Sequence, residues 1–132
     1  MFMGGEQQKK GFSYRVLSVK EQKKKMPGSV RKWINKVRTE KGVYTRRHRG
    51  GCYLVIAAGM KPNPGYRLEV SKLSKEEDGR PAMWVRETIP ESGQMQPQVI
   101  SYPCLVIRVK GGLPHVFRAE SGNPIQYRDS DI

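Results

Sequence analysis

The stretch YRLEVSKLSKEEDGRPAMWVRET, residues 66–88, decides the fold class. Its first part alternates, with Tyr66, Leu68 and Val70 on one side and Arg67, Glu69 and Ser71 on the other, as a half-exposed strand does. Its last part, RPAMWVRET (80–88), sets Pro81, Met83 and Val85 against Trp84 and Arg86. Between them Asp78-Gly79 supplies the glycine that a tight reversal with positive φ requires. The spacing predicts an antiparallel β-hairpin.

Working outward, CYLVIAAG (52–59) carries Cys52, Leu54 and Ile56 on one face and Tyr53, Val55 and Ala57 on the other. Both faces are apolar, which predicts a central strand covered on both sides. FSYRVLSV (12–19) alternates Tyr14, Val16 and Ser18 against Arg15, Leu17 and Val19 and reads as a first strand; KEQKKK (20–25) reads as a charged connection. In SVRKWINKVRTEKG (29–42), Val30, Trp33, Ile34 and Val37 fall at i, i+3, i+4 and i+7, predicting a helix docked by one apolar stripe. Pro27 suits the start of that helix and Gly42 the left-handed position that ends it. Downstream, IPESGQMQP (89–97) is a loop, and QVISYPCLVIRV (98–109) is a β-branched run in which Pro103 removes a ladder donor, predicting a bulge or an exposed edge. HVFRA (115–119) reads as a short strand. Together these predict an α+β domain: a small antiparallel β-sandwich or partly open barrel with one amphipathic helix near the N-terminus. The expected organisation is a flexible basic tail over 1–12, a single domain over 13–120 and a polar C-terminal tail over 121–132.

A chain of 132 residues can close one hydrophobic core. The N-terminal MFMGGEQQKKGF has no apolar run long enough for a signal-peptide core, nothing later approaches the length of a membrane span, and the expectation is a cytoplasmic protein. Cys52 and Cys104 each sit inside an apolar run and read as buried free thiols; with only two distant histidines, His48 and His115, they do not make a zinc site. The net charge of +13 is lopsided. Residues 1–50 hold fifteen Lys and Arg against three Glu, a net +12, while residues 51–132 hold ten against nine acids, a net +1. That asymmetry predicts a one-sided positive potential.

In KPNPGY (61–66), Pro64 and Gly65 suit the central positions of a type II turn, whereas Lys61, Asn63 and Tyr66 are not required by one. The succession GGCYLVIAAGMKPNPGYRLEV, then WVRETIPESGQMQPQVISYPCLVIRVKGG, with MPGSVRKWINK upstream, resembles the PrcB C-terminal domain family, named for a subunit of a bacterial surface protease complex. The resemblance covers about residues 14–119 and departs from the family's pattern at Pro64, where a small residue or glycine is expected, and at Cys104, where an aromatic is usual. It implies a fold and, through the assembly role ascribed to the founding member, a binding role. It brings no catalytic activity and no cofactor.

Neither histidine stands in a catalytic spacing to Cys52, Cys104 or a serine, and Glu87 with Glu91 reads less as an acid/base pair than as an ion-pairing strand end, with Arg86 or a neighbouring strand as partner. The expectation is therefore a non-enzymatic domain without metal or cofactor. Its first functional reading is a binding or assembly module that contacts an unidentified protein partner through loops 60–66 and 87–97, with Lys61, Asn63, Gly65, Tyr66, Arg86, Glu87 and Gln94 as candidate contacts. Its alternative is sequence-independent binding of nucleic acid or another polyanion through Lys23, Lys24, Lys25, Arg31, Lys32, Lys36, Arg38, Arg46, Arg47 and Arg49. A third reading notes that PNPGY is similar to the P-x-x-G-Y inhibitory loop of chagasin-type cysteine-protease inhibitors, for which papain inhibition is the assay.

Overall fold

The computed structural model describes residues 7–9, 12–93 and 95–128. Strands β1 (Gln7–Lys9) and β2 (Phe12–Val16) lead into helices α1 (Val19–Lys25) and α2 (Gly28–Val37). β3 (Gly42–His48) and β4 (Gly51–Ala57) form one hairpin, β5 (Arg67–Lys75) and β6 (Pro81–Thr88) a second, and β7 (Cys104–Lys110), β8 (His115–Arg118) and β9 (Pro124–Ile125) follow. The strands build two open sheets, ordered β1-β2-β7-β4-β3 and β5-β6-β8-β9, so the fold is an α+β sandwich and not a closed barrel. Among the described residues every pairing between these strands is antiparallel except β6 with β8. Between those two the chain crosses to the other sheet to lay down β7, and a crossover of this kind returns the next strand parallel to the one it left.

The 66–88 hairpin forms as its alternation predicts, with Val70 opposite Val85 and a bulge between Val70 and Lys72. Its turn is a three-residue one: the Gly79 amide donates to the Glu76 carbonyl at 2.9 Å, the Glu76 amide to the Arg80 carbonyl at 2.8 Å, and Gly79 takes φ 86°. β4 is central and covered on both faces. Leu54 and Ile56 enter a core between the sheets with Tyr14, Val43, Val70, Met83, Val85, Ile107, Val109 and Val116. Tyr53, Val55 and Ala57 enter a second core, beneath α2, with Met26, Val30, Trp33, Ile34, Val37, Tyr44 and Val106. The three layers are thus helices, five-stranded sheet and four-stranded sheet.

Several expectations give way. KEQKKK is helix α1, started by a capping box in which Ser18 accepts from the Glu21 amide while the Glu21 side chain returns to the Ser18 amide. α2 ends at Val37 with Arg38 as its cap, so Gly42 does not terminate it. Gly42 instead opens β3 at φ 156°, where a Cβ would collide with the side chain of Arg128. Residues 43–48, unassigned from the sequence, pair with β4 through a two-residue Arg49-Gly50 turn with φ 47° and 77°. Pro103 lies just before β7, which is an inner strand between β2 and β4, and its carbonyl accepts from the Ala58 amide at 3.0 Å. The packed fold also runs past residue 120: β9 pairs with β8, Ile125 and Tyr127 lie against the inter-sheet core, and the Arg128 amide donates to the Val43 carbonyl at 2.7 Å.

Cys52 pairs with Val109 and Cys104 with Ala57, so the two thiols stand five residues apart along adjacent strands, roughly 16 Å, far beyond disulfide reach. Burial pushes the Tyr14 phenol up to about 12 and also raises that of Tyr127, whose hydroxyl donates to the Pro114 carbonyl at 2.5 Å. Both groups keep their protons in the fold after the unfolded chain has released them near pH 10. The unfolded state then binds fewer protons, so stability is full below about pH 10 and falls as pH rises toward about 12. The urea midpoint is expected to drop over that interval, less steeply in Tyr14→Phe; a midpoint flat to pH 12 would contradict the burial of these phenols.

Candidate functional site

Loops 60–66 and 87–101 are one surface. The Lys61 amide donates to the Ser101 carbonyl at 2.8 Å, the Ser101 amide returns to the Lys61 carbonyl at 3.0 Å, and the Ser101 hydroxyl donates to the Asn63 carbonyl at 2.9 Å. The Lys61 ammonium forms an ion pair with Glu87 at 2.8 Å and lies 5.3 Å from the centroid of the Tyr66 ring. Lys61 and Glu87 are both half-buried there, so they act as a strut between the loops. Arg86 takes Glu69 of β5 at 2.8 Å, and the Glu87 amide donates to Glu120, whose carboxyl is held below its ordinary range chiefly by that bond.

Pro64 and Gly65 do not form the expected type II turn, because Gly65 has no positive φ. The Asn63 side-chain oxygen accepts from the Gly65 amide at 2.9 Å, closing an Asx turn. Glycine is required at 65 by close approach: a Cβ there would stand 2.7 Å from Cγ of Pro90 and 2.9 Å from Cδ of Gln96. Gln94 lies outside the described residues. Of the remaining loop candidates, Lys61, Asn63, Gly65, Tyr66 and Glu87 are joined at this junction, whereas Arg86 belongs to the β5–β6 ladder.

What the sequence reading missed is the apolar lining of the same loops. Met60, Ile89, Met95, Val99 and Ile100 are exposed to 64, 66, 97, 59 and 58%. Apolar side chains in a Pro- and Gly-rich loop were the available signal.

The basic candidates divide between two surfaces. Arg31, Lys32 and Lys36 project from the outer side of α2, and Lys23, Arg31 and Arg38 line a cleft of about 240 Å3 between α1 and α2. Lys24 and Lys25 are exposed on α1. Arg46 lies 5.9 Å from the centroid of Trp33, which is a buried core anchor. Arg47 and Arg49 line instead a groove of about 900 Å3 at the end of the sandwich with His48, Cys52, Arg80 and His115. His115 is engaged there by Glu76 at 2.7 Å and by Arg80.

Among the described residues no helix is long and apolar enough to cross a membrane. The chain matches no curated protein and no solved structure. The family model described as PrcB C-terminal matches residues 52–110, narrower than the span of resemblance read from the sequence. That interval holds β4 to β7 and the whole of the joined loop surface. The segment that supplies inner strands of both sheets and the apolar loops between them is thus what resembles the PrcB C-terminal family.

Proposed function

We propose that the protein is a non-enzymatic binding or assembly module that holds a protein partner on the surface made by loops 60–66 and 87–101. The observation that carries this reading is the gathering of Met60, Ile89, Met95, Val99 and Ile100, all more than half exposed, on loops tied to one another by the Lys61–Ser101 bridge and the Lys61–Glu87 pair. Exposed apolar groups concentrated on one surface mark interaction sites, and unbranched methionines adapt to a partner's shape. Rigid struts beneath them keep the loop backbones from having to order on binding. The free thiols fit a reducing compartment, the cytoplasm. Burial pushes the Cys104 thiol up, away from the thiolate that nucleophilic chemistry needs. The inhibitor reading is less well supported, since Gly65 packs on Pro90 and Gln96 instead of heading a free loop tip.

The test is affinity capture from a lysate by the wild type, by Met60→Asp/Ile100→Asp and by Arg31→Gln/Lys32→Gln. A partner of the loop surface is expected to be retained by the wild type and the helix variant and reduced at least tenfold with the loop variant, the factor that about 1.4 kcal/mol of lost contact produces. Retention of every captured protein by a correctly folded loop variant would end this reading.

A further inference from the structure

We infer that the helix-side face of the five-stranded sheet binds the phosphodiester backbone of nucleic acid through a row of arginines crossing four strands. Arg46 of β3 pairs with Tyr53 of β4, Tyr53 with Arg108 of β7, and Arg108 with Arg15 of β2. Cross-strand partners share a face, so these four side chains stand side by side beyond Trp33, spanning roughly 14 Å at ordinary strand spacing. Only Arg46 was singled out by the sequence; Arg15 and Arg108 are brought to it by register.

The row is electrostatically incomplete. Arg15 and Arg108 are directly opposed like charges, an arrangement that destabilises a strand pair unless an anion intervenes. Glu21 engages Arg15, while Arg108 lies 4.7 Å from the Tyr53 centroid and spends its Nη2 on the His48 carbonyl at 2.6 Å, with Arg49 more distant at 3.4 Å. Nε of Arg15 and Nη1 of Arg108 are buried with no hydrogen-bond partner among the described residues. Rotation about the terminal torsions of two partly exposed side chains would turn these donors toward a shared oxyanion. A phosphate meets the need, since its oxygens match the planar fork of a guanidinium. Lys110, exposed at the end of β7, continues the surface, as do Lys32 and Lys36 on α2. The described acids of the helices and the five-stranded sheet with their connections are Glu21 and Glu40, whereas Glu69, Glu76, Glu77, Asp78, Glu87, Glu91 and Glu120 all lie on the four-stranded sheet and its loops. A face carrying several cations of one sign beside the helix layer, opposite a face of mixed sign, fits the backbone of an extended polyphosphate and carries no base-reading element. Binding is therefore independent of sequence and steep in salt.

The experiment is fluorescence anisotropy with a labelled duplex DNA and a labelled single-stranded RNA of about 20 nucleotides, from about 50 to 200 mM salt, with heparin and anionic phosphatidylserine vesicles as competitors. The wild type is expected to bind both nucleic acids with a dissociation constant of about 10⁻⁶ to 10⁻⁴ M at physiological salt. For duplex DNA, Arg15→Gln/Arg46→Gln should reduce the slope of log K against log salt by about 1.8, at about 0.9 per phosphate contact. Arg67→Gln/Lys75→Gln on β5 should leave it unchanged. Arg108→Gln should weaken binding further, but it also removes the bonds to the 48–49 turn, so the double variant is the decisive one. An unchanged slope in folded Arg15→Gln/Arg46→Gln would overturn the inference, as would tighter binding of vesicles or heparin than of both nucleic acids.

Discussion

Trp33→Ala is expected to lower the unfolding free energy by about 3–5 kcal/mol, the ordinary range for removing a large buried aromatic side chain. Trp33 is 4% exposed and fills the space between α2 and the helix-side face of the five-stranded sheet, against Tyr44, Tyr53, Val55 and Val106. The expected response is uneven. The core beneath the helices and the core between the sheets share β4 and β7 but take opposite faces of them, so the sandwich keeps its own apolar contacts when the helix layer loosens. Hydrogen exchange should therefore show amides of α2 opening at low free energy while those of β5, β6 and β8 remain protected. Arg46 would lose the ring beside it, and its position in the basic row should become less defined. Uniform loss of protection across all strands would show instead that helices and sandwich form one cooperative unit.

The elements legible in the sequence were those whose signal is local and periodic. The alternation of 66–73, the stripe Val30, Trp33, Ile34 and Val37, and the doubly apolar CYLVIA each report which faces are covered, because a period of 2 or 3.6 maps directly onto a face. Helix α1 was also legible in principle: Ser18 and Glu21 form a capping box at the required spacing of three, but a lysine run with no buried side chain gave no apolar stripe to draw attention to it. The glycines show where local reasoning ends. Gly65 was read through its own torsion, yet its reason is Pro90 and Gln96, and Gly42 was read as a helix end when its reason is Arg128. In each case the constraint arrives from a segment distant in sequence. The same holds for the sites. Lys61, Asn63 and Tyr66 could be named as residues a turn does not need, but the tie to Ser101 and Glu87 follows from tertiary contact. Arg15 and Arg108 are ordinary strand arginines until the pairing of β2 with β7 sets them face to face.

Ile107→Ala should produce the second large loss, about 3–5 kcal/mol, with a different pattern. Ile107 has no exposed surface and sits on the middle strand of the larger sheet, opposite Leu54 on one side and Val16 on the other. Its neighbours in the inter-sheet core include Met83 and Val85 of β6 and Val116 of β8. A cavity there cannot be closed by one element moving inward, since each wall is a hydrogen-bonded sheet, and poor collapse places the cost toward the upper end of the range. Because both sheets lose contacts at once, protection should fall in β4 to β8 together, and the single urea transition should shift without separating into two. The loop surface is expected to suffer with it: Lys61 follows β4, Ser101 precedes β7 and Glu87 lies next to Thr88, the final residue of β6, so the strut at the loops is anchored by strands that meet over Ile107. Partner capture by Ile107→Ala should therefore decline at temperatures where the folded fraction begins to fall, and be normal well below them. Capture already lost in the fully folded variant would mean that the loops depend on the inter-sheet spacing itself, which would tie the binding surface to the packing of the two sheets and not only to their presence.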